Sequence, residues 1–516
     1  MAASRVAVPA RVHGVLVDYG RWLALPAGAV LALAFAPVDL WYLAFACPAA
    51  LFVLWQGVTP REAAWRGFLF TGGTFLSGTY WLYHSIHSIG QAPIWLALFL
   101  MLGLVAIMGS YSAFVGYATA RWFPARGAMR WLVVLPASWV LTEWFRGWFL
   151  SGFPWLALGY TQLATPLRGF APVLGVYGVS LAVAVTAGAL VTLLLGQRRE
   201  RIGAAVTVAA IWVVAVLLAQ VHWTHPVGKP VTVALVQGAV PQSMKWEEGQ
   251  RERTMQLYAG LTAPHLGVDI IVWPESAVPA LEEYVRPFLQ QVAGAATARG
   301  SSLIMGLIRR DTASGAFYNS ISGWSSGDAV QRWYDKRRLV PFGEFFPVPA
   351  TVREWLRLMN LPYSDFQPGS ESQAPLRAAG QPLAPTVCYE DAYGSEQLRL
   401  VRASTLLVNV TNDAWFGDST APHQHLDISR MRSLESGRAM LRSTNDGVTA
   451  LIAYDGTVTG LLPQFQPGVL TGEAQPREGL TPYVRFGNLP VLGLLILGLI
   501  AVRSRQTFFH AMRRPS

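Results

Sequence analysis

The sequence predicts two kinds of structure in one chain, a polytopic α-helical membrane domain and an α/β domain of ordinary globular composition. Three observations carry this. The 516 residues are 52% hydrophobic and only 14% charged, which excludes a disordered chain. Long apolar runs recur up to residue 228 and again after 487, while the stretch between reads as globular sequence. The net charge of +10 is unevenly held. Residues 1–228 contain 13 arginines, no lysine and 5 acidic residues; residues 488–516 contain 4 arginines and no acid; residues 229–487 contain 23 basic and 25 acidic residues. The basic excess belongs to the apolar parts, which argues against a nucleic-acid partner.

A bilayer core takes about 20 mostly apolar residues per helix. Seven such stretches precede the globular part, at 22–37, 40–57, 67–88, 93–120, 131–150, 169–196 and 202–221. An eighth occupies 489–502, with Pro490 early enough to start a helix. Loops that stay in the cytoplasm carry an excess of Lys and Arg. The N-terminus, every second loop and the C-terminus hold 15 arginines, against Arg146 and Arg168 in the alternate loops. Both termini are thus expected in the cytoplasm, and residues 229–487 outside the cytoplasmic membrane, in the periplasm of a cell with two membranes. The first stretch lacks a clear cleavage pattern and reads as a retained anchor. The expected domains are 1–228, with seven spans; 229–487, aqueous; and 488–516, the eighth helix and a tail.

Within 229–487, short β-branched-rich runs bounded by turn residues predict buried strands at 231–237, 269–273, 302–308, 384–388, 405–410 and 448–454. Helical stretches lie between them at 247–262, 282–299, 394–403 and 423–442. This alternation favours sheets covered by helices. Three polar residues, Glu275, Lys336 and Cys388, stand where strands end, the places from which loops deliver catalytic groups. The chain has only three lysines, Lys229, Lys245 and Lys336, although arginine is abundant. Its two cysteines are assigned to different domains, so no structural disulfide is expected: Cys47 packs in an apolar run, and Cys388 invites a functional explanation.

Pro274-Glu275, Lys336 running on to Gly343-Glu344, and Cys388-Tyr389-Glu390 occur in that order. In this the domain resembles the nitrilase superfamily, whose members carry a Glu-Lys-Cys triad in such contexts. With apolar spans on both sides, the whole chain resembles the membrane-embedded branch, the apolipoprotein N-acyltransferases, and segments 236–246, 273–279, 340–345, 410–417 and 442–447 agree. The resemblance implies an α-β-β-α sandwich for 229–487 and a two-step reaction in a bacterial inner membrane. An acyl chain moves from a phospholipid to the cysteine as a thioester, then to the α-amino group of the diacylglyceryl-cysteine that begins an apolipoprotein. No cofactor and no metal is implied.

By the same resemblance Cys388 is the nucleophile, Glu275 the general base, and Lys336 the cation beside the oxyanion, helped by the N–H of Tyr389. Glu344 supports the lysine and orients the acceptor, Tyr389 and Glu390 flank the nucleophile, and Trp246 is a further functional position. The residue chemistry fits independently. A thiol must ionise to attack an ester, and a Lys⁺ nearby is expected to lower its pKa from about 8.5.

Other polar residues have plainer expectations. His423 and His425, two apart with no matched ligands, read as a solvated or helix-entry pair. His84 and His87 read as interfacial, and Glu143 and Arg146, three apart on one helix, as a pair on one face. Phe345, Phe346, Pro347 and residues 355–359 are expected to dip into the outer leaflet as a lid. Two rival readings weigh less. A tethered amidase using the same triad needs only one anchor, and a transporter with an inactive appended domain would place polar groups in its spans.

Overall fold

The computed structural model describes residues 19–247, 249–325, 331–345 and 366–512. It divides into two compact units. One runs to Tyr80 and takes in Trp95–Val221 and the chain from Phe486 onward; the other comprises Trp81–Ile94 and His222–Arg485. Of the expected lid only Phe345 is among the described residues.

The first unit is helical: α1 (Gly20–Leu31), α2 (Leu43–Leu54), α3 (Pro60–Gly78), α4 (Ile94–Trp122), α5 (Leu135–Arg146), α6 (Ala171–Leu195), α7 (Arg198–Ala219) and a C-terminal helix, Leu489–Met512. Four of the described helices are long and apolar enough to cross a membrane: Ile94–Trp122, Pro166–Leu195, Arg198–Ala219 and Leu489–Phe508. Helices α1 and α2 have 12 residues each. At about 1.5 Å per residue each rises about 18 Å, short of a hydrocarbon core of about 30 Å. The stretch read at 67–88 is also divided, because α3 ends at Gly78 and Trp81–Ile94 belongs to the other unit.

Polar side chains in this unit serve the backbone. Thr74 and Ser77 of α3 donate to the carbonyls of Gly28 and Ala29 on α1 (both 3.0 Å). That approach relies on glycine, since a side chain on Gly28 or Gly73 would run into the facing backbone. Arg66 donates to Leu54 O (2.8 Å) and Arg130 to Thr119 O (2.9 Å) and Pro124 O (3.0 Å), satisfying carbonyls that helix ends leave over. Glu143 and Arg146 both clamp the loop after α5: Glu143 accepts from Leu158 N (3.0 Å), and Arg146 donates to Trp155 O (2.5 Å) and Leu156 O (3.1 Å).

The second unit holds two six-stranded sheets. In chain order its elements are β1 (Val231–Gln237), α8 (Gln250–Thr262), β2 (Ile270–Trp273), α9 (Glu282–Ala298), β3 (Ser302–Arg310), β4 (Phe317–Trp324), β5 (Arg332–Asp335), β6 (Leu376–Ala378), β7 (Gln381–Val387), α10 (Gly394–Arg402), β8 (Leu406–Thr411), α11 (Ala421–Ser436), β9 (Met440–Thr444), β10 (Ala450–Ile452), β11 (Val458–Leu461) and β12 (Gly468–Ala474). The sheets run β12-β1-β2-β3-β4-β5 and β6-β7-β8-β9-β10-β11. In each, the second, third and fourth strands are parallel and the outer pairings antiparallel.

Period-two alternation explains the layering. Val231, Val233 and Leu235 of β1 and Ile270 and Val272 of β2 join Val387, Val408 and Val410 of the second sheet in one core. The intervening Ala234, Val236, Ile271 and Trp273 pack on Tyr258 of α8 and Val285 and Leu289 of α9. The result is the α-β-β-α sandwich. One helical stretch was misjudged: 423–442 is two elements, because α11 stops at Gly437 in the left-handed conformation (φ 64°), and β9 follows.

Candidate active site

The carboxyl ends of the parallel strands in both sheets meet. Ser443, near the end of β9, donates to Val236 O on β1 (2.9 Å) and to Val272 O on β2 (3.2 Å). Glu275 stands just beyond β2, on a turn held by Ala277 N donating to Gly306 O (3.0 Å). Gly306 of β3 has no room for a Cβ, which would strike Pro274 and the backbone of Glu275. Asn319 of β4 bridges two carboxylates through its Nδ2, to Glu275 Oε1 (2.7 Å) and Glu344 Oε1 (2.8 Å). Its carbonyl accepts from Lys336 N (2.8 Å), so the same residue sets the lysine backbone.

Lys336 follows β5 and is 1% exposed. Its Nζ lies 2.9 Å from Glu344 Oε2 and 3.7 Å from Glu275 Oε1. Burial works against the ammonium, but the fields of Glu344 and Glu275 outweigh it and hold the pKa above the ordinary lysine value. Lys336 is therefore a fixed cation.

Cys388 closes β7 with φ 52°, a left-handed conformation that costs a side chain energy and turns the strand end sharply. Its carbonyl accepts from Asn409 Nδ2 (3.3 Å). Glu390, fully buried, braces the turn from within: it accepts from Val387 N (2.8 Å), Arg337 N (2.7 Å) and Tyr334 Oη (3.1 Å). The Cys388 turn and the lysine segment are thus fastened to one carboxylate. Burial first, and then the field of Glu275, push the Cys388 thiol well above its usual range, with Lys336 opposing them. Lys336 thus acts in the expected direction, but burial and Glu275 outweigh it.

Tyr389 is half-buried with its ring 5.2 Å from that of Tyr393, and Trp246 is 54% exposed on the 241–247 turn. Near Cys388 lies a buried charge cluster that the histidine spacing does not reveal. His425 is not solvated; its ring nitrogens bond Asp413 Oδ1 (2.8 Å) and Asp391 Oδ1 (3.0 Å). Arg442 donates to Asp413 Oδ2 and to Asn409 Oδ1 (both 2.8 Å). Asn319 escaped the sequence reading because it belongs to no short motif, and Lys245, also buried, stands in the sequence only as one of three lysines and within segment 236–246.

Residues 27–189 match the apolipoprotein N-acyltransferase N-terminal domain, and residues 232–482 match carbon-nitrogen hydrolase. An apolipoprotein N-acyltransferase of Methylococcus capsulatus is 41% identical over 94% of this chain and 96% of its own length. That of Azotobacter vinelandii is 43% identical over 94% and 95%. Among solved structures, a carbon-nitrogen hydrolase from Helicobacter pylori G27 aligns over 48% of this chain and 89% of its own at 17% identity, with a TM-score of 0.37. With identity at this level over nearly the full length of both sequences, the chain belongs to the apolipoprotein N-acyltransferase family.

Proposed function

We propose that the chain moves an acyl group from a membrane phospholipid to Cys388, and from there to the α-amino group of a diacylglyceryl-cysteine at the start of an apolipoprotein. The observation that carries this reading is the Lys336 cation held between Glu344 and Glu275, with the fields of both Lys336 and Glu275 acting on Cys388. Glu275 takes the proton of the Cys388 thiol as sulfur attacks the ester carbonyl, and returns it to the leaving glycerol oxygen. Lys336, which stays charged, stabilises the oxyanion that forms, together with the N–H of Tyr389. In the second step Glu275 receives a proton from the attacking amine and passes it to the departing thiolate. Glu344 holds Lys336 in place, and Glu390 holds the nucleophile turn.

The family and the apolar helices make this a membrane protein acting on lipoproteins; the finer topology is part of the proposal. Both termini lie in the cytoplasm, and residues 229–487 lie in the periplasm, where the substrates' lipid-bearing ends are met.

Intact-mass analysis of the purified protein in phospholipid tests the reading. An acyl adduct on Cys388 is expected, discharged by a diacylated lipopeptide with triacylated product, and missing in Cys388→Ala. An unmodified protein that hydrolyses a soluble amide instead would point to an amidase.

A further inference from the structure

The site holds a second lysine whose situation is opposite to that of Lys336. Lys245 sits on a turn in which Met244 N and Lys245 N both donate to Pro241 O (3.1 Å). The turn is tied to the strand ends of the second sheet: Asn412 Nδ2 donates to Gln242 Oε1 (2.8 Å), and Asn445 bonds Val240 through both its amide groups. Met244 and Trp246 on either side are exposed, while Lys245 is 1% exposed. Its Nζ has no hydrogen-bond partner among the described residues. The charged group among them whose field acts on it is Glu275. A buried lysine nitrogen with no hydrogen-bond partner is costly in a folded protein and calls for an explanation in a ligand or a proton transfer.

We propose that Lys245 is the base that removes the extra proton from the acceptor's α-ammonium before that amine attacks the thioester. The inference rests on the acyl-transfer reading above. Glu275 handles one proton per half-reaction, the one exchanged between nucleophile and leaving group. An acceptor arriving as R–NH₃⁺ carries one more. The transfer R–NH₃⁺ + Lys245–NH₂ → R–NH₂ + Lys245–NH₃⁺ releases the nitrogen lone pair, and the lysine later returns its proton to solvent.

Two features favour this exchange. Burial brings Lys245 down to about 8, close to the range of about 7.7–8.0 for α-amino groups, so the transfer is nearly thermoneutral. The Lys245 Nζ also has no hydrogen-bond partner among the described residues, so a proton delivered there displaces none. Lys336 is clamped by carboxylates and stays charged, and Lys245 titrates. Paired groups whose environments push their pKa values apart mark an acid–base assignment.

The test uses the full-length protein in phospholipid and follows the two half-reactions separately by intact mass. At about pH 8, where about half of Lys245 is unprotonated and can act as a base, Lys245→Met is expected to slow discharge by a diacylated lipopeptide about tenfold more than it slows acyl-enzyme formation. Discharge by hydroxylamine, already neutral at that pH, should not share the loss, and raising the pH to about 9 should recover the lipopeptide reaction. Lys245→Arg keeps a cation that cannot accept a proton and should show the same selective loss. Equal slowing with both amines, or a Lys245→Arg variant that matches the parent, overturns the proposal. Absence of any acyl adduct in the parent protein overturns the acyl-transfer reading itself.

Discussion

Lys336 and Cys388 are both buried, and both are raised above their ordinary pKa values for different reasons. The lysine has carboxylates 2.9 Å and 3.7 Å from its nitrogen, which more than offset its desolvation. The thiolate would have Lys336 in its favour and the Glu275 carboxylate against it. In the proposed reaction the carboxylate that disfavours the thiolate is also the group that accepts its proton, so ionisation and attack are coupled. Glu275→Gln is expected to slow acyl-enzyme formation by about 10²–10⁴-fold, the usual worth of general base catalysis, as read by the rate of adduct appearance. An unchanged rate would exclude Glu275 as base. Glu390 differs in kind, because its partners are backbone N–H groups and a tyrosine hydroxyl. Glu390→Ala leaves those buried donors unpaired at about 1–3 kcal/mol each and should lower the unfolding midpoint as well as activity. A variant as stable as the parent would assign Glu390 to chemistry instead.

Elements deliver these residues by close approach. β3 must pass against the turn bearing Glu275, and only glycine at 306 allows it. Gly306→Ala should therefore cost activity through displacement of Glu275, measured as a fall in kcat larger than Glu344→Ala produces in KM; full activity would show that the turn shifts harmlessly. α11 reaches the same site from below through His425. Burial and Arg442 disfavour the imidazolium, but Asp391 and Asp413 outweigh them and hold the pKa at about 9. A pKa raised above its unfolded value of about 6.5 adds stability that is complete below about pH 6.5 and lost as pH rises through about 9. Thermal unfolding followed from about pH 7 to 10 should show this loss, of about 3 kcal/mol at most, in the parent and not in His425→Asn. Parallel curves would remove His425 from the account. At this scale the sequence was partly legible. β1 and β2 are dense apolar runs and were read directly, whereas β4 and β9 carry the polar Asn319, Arg442 and Ser443 inward and do not look like buried strands.

For the whole molecule, the proposed topology makes a direct prediction. Cys47 and Cys388 are both buried, so an added surface cysteine can be labelled selectively. In intact cells, Glu473→Cys on β12 should react with an impermeant thiol reagent added outside, and Arg505→Cys only after the inner membrane is opened. The reverse pattern would invert the assignment. The sequence by itself determined the class of the chain, the position of the α/β part between apolar segments, and the order Glu275, Lys336, Cys388. These follow from local composition and short motifs, which survive in one dimension. The tertiary structure decided what surrounds each charge: that Lys336 is held by two carboxylates, that burial and Glu275 raise the Cys388 thiol, that Glu390 is a brace, that His425 is buried between two aspartates, and that Lys245 has no bonded partner among the described residues. Those properties depend on desolvation and on carboxylates brought from distant strands, and neither quantity is written in the spacing of residues along the chain.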